Sequence, residues 1–368
     1  MRRIVSLLPR QDWIVVGWVM AITIVLFLIG VKSYPMFGDR YEPSPQQWLQ
    51  IWDQWDFGYY QKIAEFGYSG EDGSIAFYPL FPWLIRLVAS ISGSYLAAAL
   101  IISGIACVVA AILLRRLVQL DYPTSVAMRS VWFFLIFPTA YFLHVGYSES
   151  LFLALALASI LAARIERWWL AGLLGAFCWM TRGTGAILVP ALAIEATQQY
   201  CITRRWKWRW LWIAVVPLGF AVYLLINWHV SGDALAFLQT RKISFKQSFA
   251  LPSVGIRHAI SAHYLTPNEA EMVGAQELQF VALGFVCTII GWIKLRPVYA
   301  VWMSGTWLLF TAVNFLQSVP RYTLTMFPVF ILFALLSRNR FWFGALTVWS
   351  LLFFALFAIL FARGEWAF

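Results

Sequence analysis

Apolar residues run along this chain in long unbroken blocks rather than at the spacing of amphipathic helices. The clearest block, Trp13 to Val31, holds 19 residues without a formal charge between Asp12 and Lys32. A bilayer core about 30 Å thick is crossed by about 20 such residues in a helix. Comparable blocks follow at 94–114, 126–143, 148–163, 168–181, 184–200, 211–230, 277–293, 298–316, 322–336 and 342–361. The pattern predicts an all-α polytopic membrane protein of eleven spans, with 168–181 and 184–200 forming a hairpin of short helices. Phe77 to Ile91 is shorter, carries Arg86 and is interrupted by Pro79 and Pro82, so it reads as re-entrant or interfacial; counted as a span it makes twelve. No soluble domain remains. Residues 1–368 read as one transmembrane domain whose outer loops, 32–76 and 231–276, form one working face.

Composition agrees with the pattern. Hydrophobic residues make up 61% of the chain and charged residues 12%, with a mean hydropathy of +0.73, against about 25% charged residues in soluble domains. The first block lacks a small-residue cleavage site and exceeds the roughly 7–15 residues of a signal-peptide core, so it reads as a retained span. The four cysteines form no CxxC pair and read as buried free thiols.

A net charge of +10 would suggest nucleic acid in a soluble protein, but here its distribution reports topology. With a cytoplasmic N-terminus, 16 of the 27 basic residues fall inside against four of the 17 acids, Asp12, Asp121, Glu166 and Glu195. The outer face then holds 11 bases and 13 acids, as the positive-inside rule expects. Treating 77–91 as a full span would put the basic run Thr203 to Arg209 outside. The interleaved bases and tryptophans of Arg204 to Trp212 read as a cytoplasmic interface anchor.

Candidate chemistry gathers on the outer face. The first outer loop holds seven acids, Asp39, Glu42, Asp53, Asp56, Glu65, Glu71 and Asp72. Pro45 stands at a plausible helix start and no Gly or Pro follows until Gly58, which predicts a helix with Asp53 and Asp56 on one face. Trp48, Trp52, Trp55 and Tyr59 recur at three- and four-residue spacing as an apolar stripe along the membrane surface. Acids on an interfacial helix are ordinarily just solvated, but two carboxylates inside a tryptophan stripe are suited to general-base work. Gly146-Tyr147-Ser148-Glu149-Ser150, Thr181-Arg182-Gly183-Thr184-Gly185 and Ser318-Val319-Pro320-Arg321-Tyr322 fall at outer turns. Arg182 and Arg321 lie between apolar runs without an adjacent acid, which predicts a cavity where guanidinium groups grip a phosphate bidentately. Snorkelling to headgroups explains either arginine alone equally well. In the second outer loop Arg241, Lys242, Lys246 and Arg257 make a basic stretch suited equally to an anionic acceptor or to anionic headgroups. His258 and His263 there carry only a weak metal signal and read as solvated. Walker, GxGxxG and GxSxG motifs are absent.

These motifs resemble those of PIG-V-like mannosyltransferases, a family named for the second mannosyltransferase of GPI-anchor assembly and with many prokaryotic relatives. Trp55-Asp56-Phe57-Gly58-Tyr59-Tyr60, continuing to Ile63-Ala64 and Gly67-Tyr68, resembles its first-loop signature, and Phe77-Tyr78-Pro79-Leu80-Phe81-Pro82 its next block. Gly146 to Ser150, Thr181 to Gly185 with Pro190, and Pro320-Arg321-Tyr322 resemble later blocks in the same order. Gly183 departs from the pattern, where proline is commoner.

The resemblance implies the GT-C glycosyltransferase fold with an extracytoplasmic active site, here in the plasma membrane of a prokaryote. It implies a polyprenyl- or dolichyl-phosphate-mannose donor, inversion at the anomeric carbon, and a glycolipid or glycan acceptor. The family's loop aspartate falls on Asp56. The expected roles are Asp56 as base, Asp53 as an orienting or second acid, and Arg182 and Arg321 as the donor-phosphate clamp. Tyr147, Glu149, Tyr322, Arg241, Lys242, Arg257 and His258 are further candidates for substrate contact. The chemistry needs no cofactor and is compatible with a divalent metal. A transporter or flippase of lipid-linked sugars is the alternative, and it predicts internal symmetry and ionisable groups at mid-membrane. A noncatalytic membrane subunit is a third possibility, disfavoured by Asp56 within its motif.

Overall fold

The computed structural model describes residues 9–36, 47–265 and 267–368, with backbone alone at 34–36, 47, 262–265 and 267–274. Regular secondary structure among the described residues is helical, apart from one antiparallel bridge between Phe249 and Val313. The chain runs through α1 (Arg10–Met36), α2 (Gln47–Gln50), α3 (Asp56–Phe66), α4 (Leu80–Ser92), α5 (Tyr95–Gln119) and α6 (Thr124–Ile136). It continues through α7 (Glu149–Arg164), α8 (Trp168–Trp179), α9 (Leu188–Thr203), α10 (Leu218–Ser231), α11 (Ala236–Ser244) and α12 (Pro252–Leu265). It closes with α13 (Pro267–Lys294), α14 (Pro297–Thr311), α15 (Val319–Leu324), α16 (Pro328–Leu336) and α17 (Arg340–Ala362).

Among the described residues, five helical stretches are long and apolar enough to cross a membrane: Arg10–Ser33, Tyr95–Gln119, Trp208–Ser231, Ala275–Lys294 and Arg340–Ala362. The other apolar blocks form shorter helices. Prolines divide two of them: Pro138 follows the end of α6, and Pro328 starts α16 after a break from α15. The short helices are sheltered. In α16 every residue from Pro328 to Ala334 is buried, so it need not present a full span to lipid.

Packing depends on small side chains. The buried faces of α5 (Ala98, Ala99, Ser103, Ala106, Ala110) and α7 (Ala154, Ala156, Ser159, Ala162, Ala163) let the two backbones approach closely, the usual solution where lipid removes the hydrophobic drive between helices. At Gly219 a Cβ would lie 2.0 Å from the Ala176 carbonyl oxygen, so only glycine lets α10 lie this close to α8. That approach stacks Phe220 on Trp179 at 5.2 Å.

Charges sort to the two ends of the bundle. Each of the four acids assigned to the cytoplasmic face pairs with bases of that same face. Asp12 meets Arg115 and Arg116, and Asp121 meets Arg164. Glu166 meets Lys207 and Arg209, while Glu195 meets Arg296 and, at 3.8 Å, Arg164. The opposite end holds the acids and arginines of the outer motifs. Helix α4 stays at that end: the Leu80 N–H donates to the Met180 carbonyl, and Arg86 donates to carbonyls of Ala64 and Glu65 at the end of α3.

The single helix expected through the first outer loop is broken. Helix α2 ends at Gln50, and α3 begins at Asp56 after Trp55, whose φ of 52° and ψ of −112° lie outside helical space. The tryptophan stripe breaks with it. Trp52 is fully buried against Phe27 and Phe361, whereas Trp48 and Trp55 are exposed. Asp39, Glu42 and Pro45 lie outside the described residues.

Candidate active site

Asp56 opens α3, Glu149 opens α7, Arg182 follows α8 and Arg321 lies in α15, so four separate elements bring one charge each to a common point. Arg321 is the hub. Its Nη1 donates to Asp56 Oδ2 at 2.6 Å and its Nε donates to Glu149 Oε1. Arg182 Nη1 reaches the same Glu149 oxygen and Ser148 Oγ, the latter at 3.2 Å. The arginines line a cavity as expected, and the acid that neither has beside it in sequence is supplied by Glu149, itself 0% exposed, which bridges them. Leaving one member of such a buried set unpaired costs about 3–5 kcal/mol, so the arrangement is strongly self-enforcing.

Aromatic groups hold the cluster. The Arg321 guanidinium lies 4.7 Å from the ring centroids of both Phe142 and Tyr147, and that of Arg182 lies 5.5 Å from Tyr322. Tyr147 also donates to the Gln54 carbonyl at 2.8 Å and accepts the Asp56 N–H at 3.2 Å, which anchors the start of α3. Tyr60 Oη and Ser148 Oγ are 3.0 Å apart. Strained backbone precedes both central residues: Trp55 before Asp56, and Ser318, with φ of 62°, at the start of the helix carrying Arg321. Such conformations cost about 1–3 kcal/mol and persist where the surroundings over-determine them.

Two adjoining cavities open on the cluster. The larger, about 320 Å³, has aromatic walls from Phe77, Tyr78, Trp179, Phe220, Phe237 and Phe310, with Arg182, Arg241 and Arg321 among its polar lining. The smaller, about 140 Å³, is lined by Trp55, Phe245, Gln317, Ser318 and Trp366 among others. Asp56, Arg241, Gln247, Arg321 and Tyr322 border both. Gly183 lies in the larger wall, where a Cβ would stand 3.0 Å from Tyr78 Oη. Glycine at this position leaves room for that tyrosine.

The other expected site residues separate into two groups. Tyr147, Glu149, Tyr322 and Arg241 come together with Asp56. Asp53 does not: it is exposed, lines neither cavity and makes no bond to Asp56, although partial desolvation raises its carboxyl above the ordinary value. Lys242 is exposed on α11, Arg257 turns back to the Ser253 carbonyl, and His258 lies against Phe315 at 6.2 Å. The side chain of His263 is outside the described set. Among the described residues no three His, Cys, Asp or Glu side chains form a group able to hold a metal ion.

Sequence reasoning missed Trp179, Phe220 and Phe310, which sit in apolar runs with no local mark, and Phe237 in the second outer loop. It also missed Glu277 of α13, a buried carboxylate that accepts the Ser318 and Val319 N–H groups at 2.7 Å each and so fixes the start of the Arg321 helix. An acid at the border of an apolar block was the available signal.

Residues 41–210 match the mannosyltransferase (PIG-V) family. That stretch holds Asp56, Glu149 and Arg182, and four of the five resembling motifs; Arg321 lies beyond it. Comparison with curated proteins finds no match. Among solved structures, the chain is similar to the Archaeoglobus fulgidus oligosaccharyltransferase in complex with zinc and sulfate, at 11% identity and a TM-score of 0.44, over 92% of this chain and 53% of that one. The same organism's oligosaccharyltransferase AglB, in complex with an inhibitory peptide and a dolichol-phosphate, is similar at 12% identity and a TM-score of 0.41, over 95% and 56%. The chain thus spans about half the length of these structural relatives.

Proposed function

We propose that the protein is an inverting membrane glycosyltransferase of GT-C type. It moves mannose or a related sugar from a polyprenyl-phosphate donor to a glycolipid or glycan acceptor on the extracytoplasmic face. The observation that carries this reading is the position of Asp56, which borders both cavities while Arg321 holds only one of its oxygens. The aromatic walls of the larger cavity suit a lipid-linked sugar, and the smaller cavity suits the acceptor. The acceptor hydroxyl oxygen attacks the anomeric carbon as Asp56 takes its proton. The bond from that carbon to the phosphate oxygen breaks, and polyprenyl monophosphate leaves with the electron pair. One carboxylate suffices, because inversion needs no protein nucleophile.

Arg182 and Arg321 retain N–H groups not committed to carboxylates, since a guanidinium carries five. Those donors face the departing phosphate, where developing charge is stabilised. Asp53, which stands apart, has no assigned role. The matched family over 41–210 and the two-ended sorting of charge support this reading over a transporter, which needs ionisable groups midway along its path. The test is incubation of the purified protein in nanodiscs with labelled polyprenyl-phosphate sugars and candidate acceptors. Label appearing in a glycosylated acceptor supports the assignment. Label remaining on the donor across all sugars and acceptors, with the protein folded, overturns it.

A further inference from the structure

The charged cluster at Asp56 is balanced: two carboxylates, Asp56 and Glu149, meet two guanidinium groups, Arg182 and Arg321. A phosphate entering that cluster finds hydrogen-bond donors but no surplus of positive charge. Arg241 supplies the surplus. It borders both cavities from α11 and is half-buried, and among the described residues its side chain has no ion-pair or hydrogen-bond partner. A guanidinium partly withdrawn from water with all five donors uncommitted is a site for an anion.

The segment carrying Arg241 is built as a strap across the cavities. No residue of α11 is fully buried. Its start is tied by Asn227 of α10, a buried side chain whose Oδ1 accepts the Phe237 N–H at 3.0 Å. Its end is tied by Asn314, whose Oδ1 accepts the Ser248 N–H at 2.7 Å and whose Nδ2 donates to the Lys246 carbonyl at 3.0 Å. Between these two asparagine clasps, Phe237, Leu238, Arg241 and Gln247 face the larger cavity. Fastening by side-chain bonds at both ends, with Phe237 packed on Phe220 and Tyr223 and Phe245 on Tyr59 and Phe77, fixes where Arg241 stands.

We propose that Arg241 is the anion receptor of this cavity and takes the phosphate of an amphiphilic phosphate ester whose apolar part lies against Trp179, Phe220, Phe237 and Phe310. The proposal rests on the glycosyltransferase reading for the identity of the lipid, but not for the anion. Arg241 contributes the net charge, and the remaining N–H groups of Arg182 and Arg321 on the cavity wall contribute direction.

Binding, rather than turnover, separates the two ideas. Polyprenyl monophosphate, uncharged polyprenol of equal length and inorganic phosphate are titrated against the full chain in nanodiscs, following intrinsic tryptophan fluorescence. Arg241→Ala and Arg241→Gln should each weaken polyprenyl monophosphate binding at least about tenfold, the factor carried by one charge-assisted hydrogen bond. Arg241→Lys should restore part of it, and the wild-type difference between phosphate and alcohol should shrink in the Ala and Gln variants. Unchanged polyprenol binding in those variants shows that the cavity is intact. Equal binding of the phosphate by wild type and Arg241→Gln overturns the proposal, and so does competition by inorganic phosphate at the concentrations effective for the lipid. Loss of phosphate binding at Arg241, in a protein that transfers no sugar, would leave the anion site standing and remove the transferase reading.

Discussion

The Arg321 side chain donates to the Asp56 carboxylate at 2.6 Å across 265 positions of sequence. The same guanidinium donates to Glu149, so the proposed base is positioned by a residue that is itself held from a third helix. Removing the base without disturbing this frame is the most direct test. Asp56→Asn keeps an oxygen for Arg321 but cannot accept a proton at neutral pH. Sugar transfer should fall by at least about 10²-fold, the low end of general-base contributions, while assembly and thermal stability survive. Asp53→Asn should alter transfer only slightly, since Asp53 touches neither cavity. Steady-state rates on matched, folded preparations decide it: near-native transfer by Asp56→Asn removes the assignment.

Glu149 bridges two arginines, so its loss should be felt as stability before chemistry. Glu149→Gln presents an amide where two cations require an anion. Breaking a buried ion set costs about 3–5 kcal/mol, and the thermal midpoint in detergent should fall accordingly. Paired with Arg321→Ala, the two losses should be strongly non-additive, because both disrupt one network. Additive shifts would mean that Glu149 and Arg321 act independently.

Glu277 is a positioning residue for the Arg321 helix. Glu277→Ala leaves the Ser318 and Val319 N–H groups without their acceptor, and each such loss costs about 1–3 kcal/mol. Turnover should fall more than acceptor KM rises, because what shifts is the group that orients Asp56. Glu277→Gln should recover part of the rate, since its one carbonyl can accept one of the two donors. An unchanged kcat in a folded Ala variant excludes the role.

The two-ended sorting of charge makes the topology testable. In a background with Cys201→Ser, since native Cys201 is exposed, Gly70→Cys and Ala250→Cys should react with a membrane-impermeant thiol reagent in intact cells. Trp206→Cys should react only after lysis. Labelling at 206 with none at 70 would turn the protein over.

The loop before α4 has its own pH signature. Burial alone would raise the Asp72 carboxyl, but the Ser74 hydroxyl and N–H and the Lys62 ammonium at 2.9 Å outweigh it and hold the group below its ordinary 3.8. A lowered carboxyl stabilises the fold at pH above its ordinary value, and that contribution is lost as pH falls through the lower folded value. Amide protection factors over 67–79, taken against the intrinsic rate at each pH, should therefore fall in acid in the wild type. In Asp72→Asn they should be low already at neutral pH. The same acid response in the variant would assign it to another group.

Several features were legible in the residues alone. Long apolar blocks of low charge point to a bilayer from local composition alone, without knowledge of contacts. The motif signatures marked Asp56, Glu149, Arg182 and Arg321, and the sorting of bases put Asp12, Asp121, Glu166 and Glu195 on one face, where folding then paired each with a base. Tertiary structure decided the rest. The expected helix through Asp53 and Asp56 broke at Trp55 because Tyr147, from another segment, captures both the Gln54 carbonyl and the Asp56 N–H. No helical periodicity encodes a competing partner 91 positions away. The two arginines read as free cations because their acid is remote in sequence, and only folding put Glu149 between them. That same neutralisation left Arg241 as the cavity's uncompensated charge, a property of the assembled cluster that cannot be assigned to any one stretch of chain.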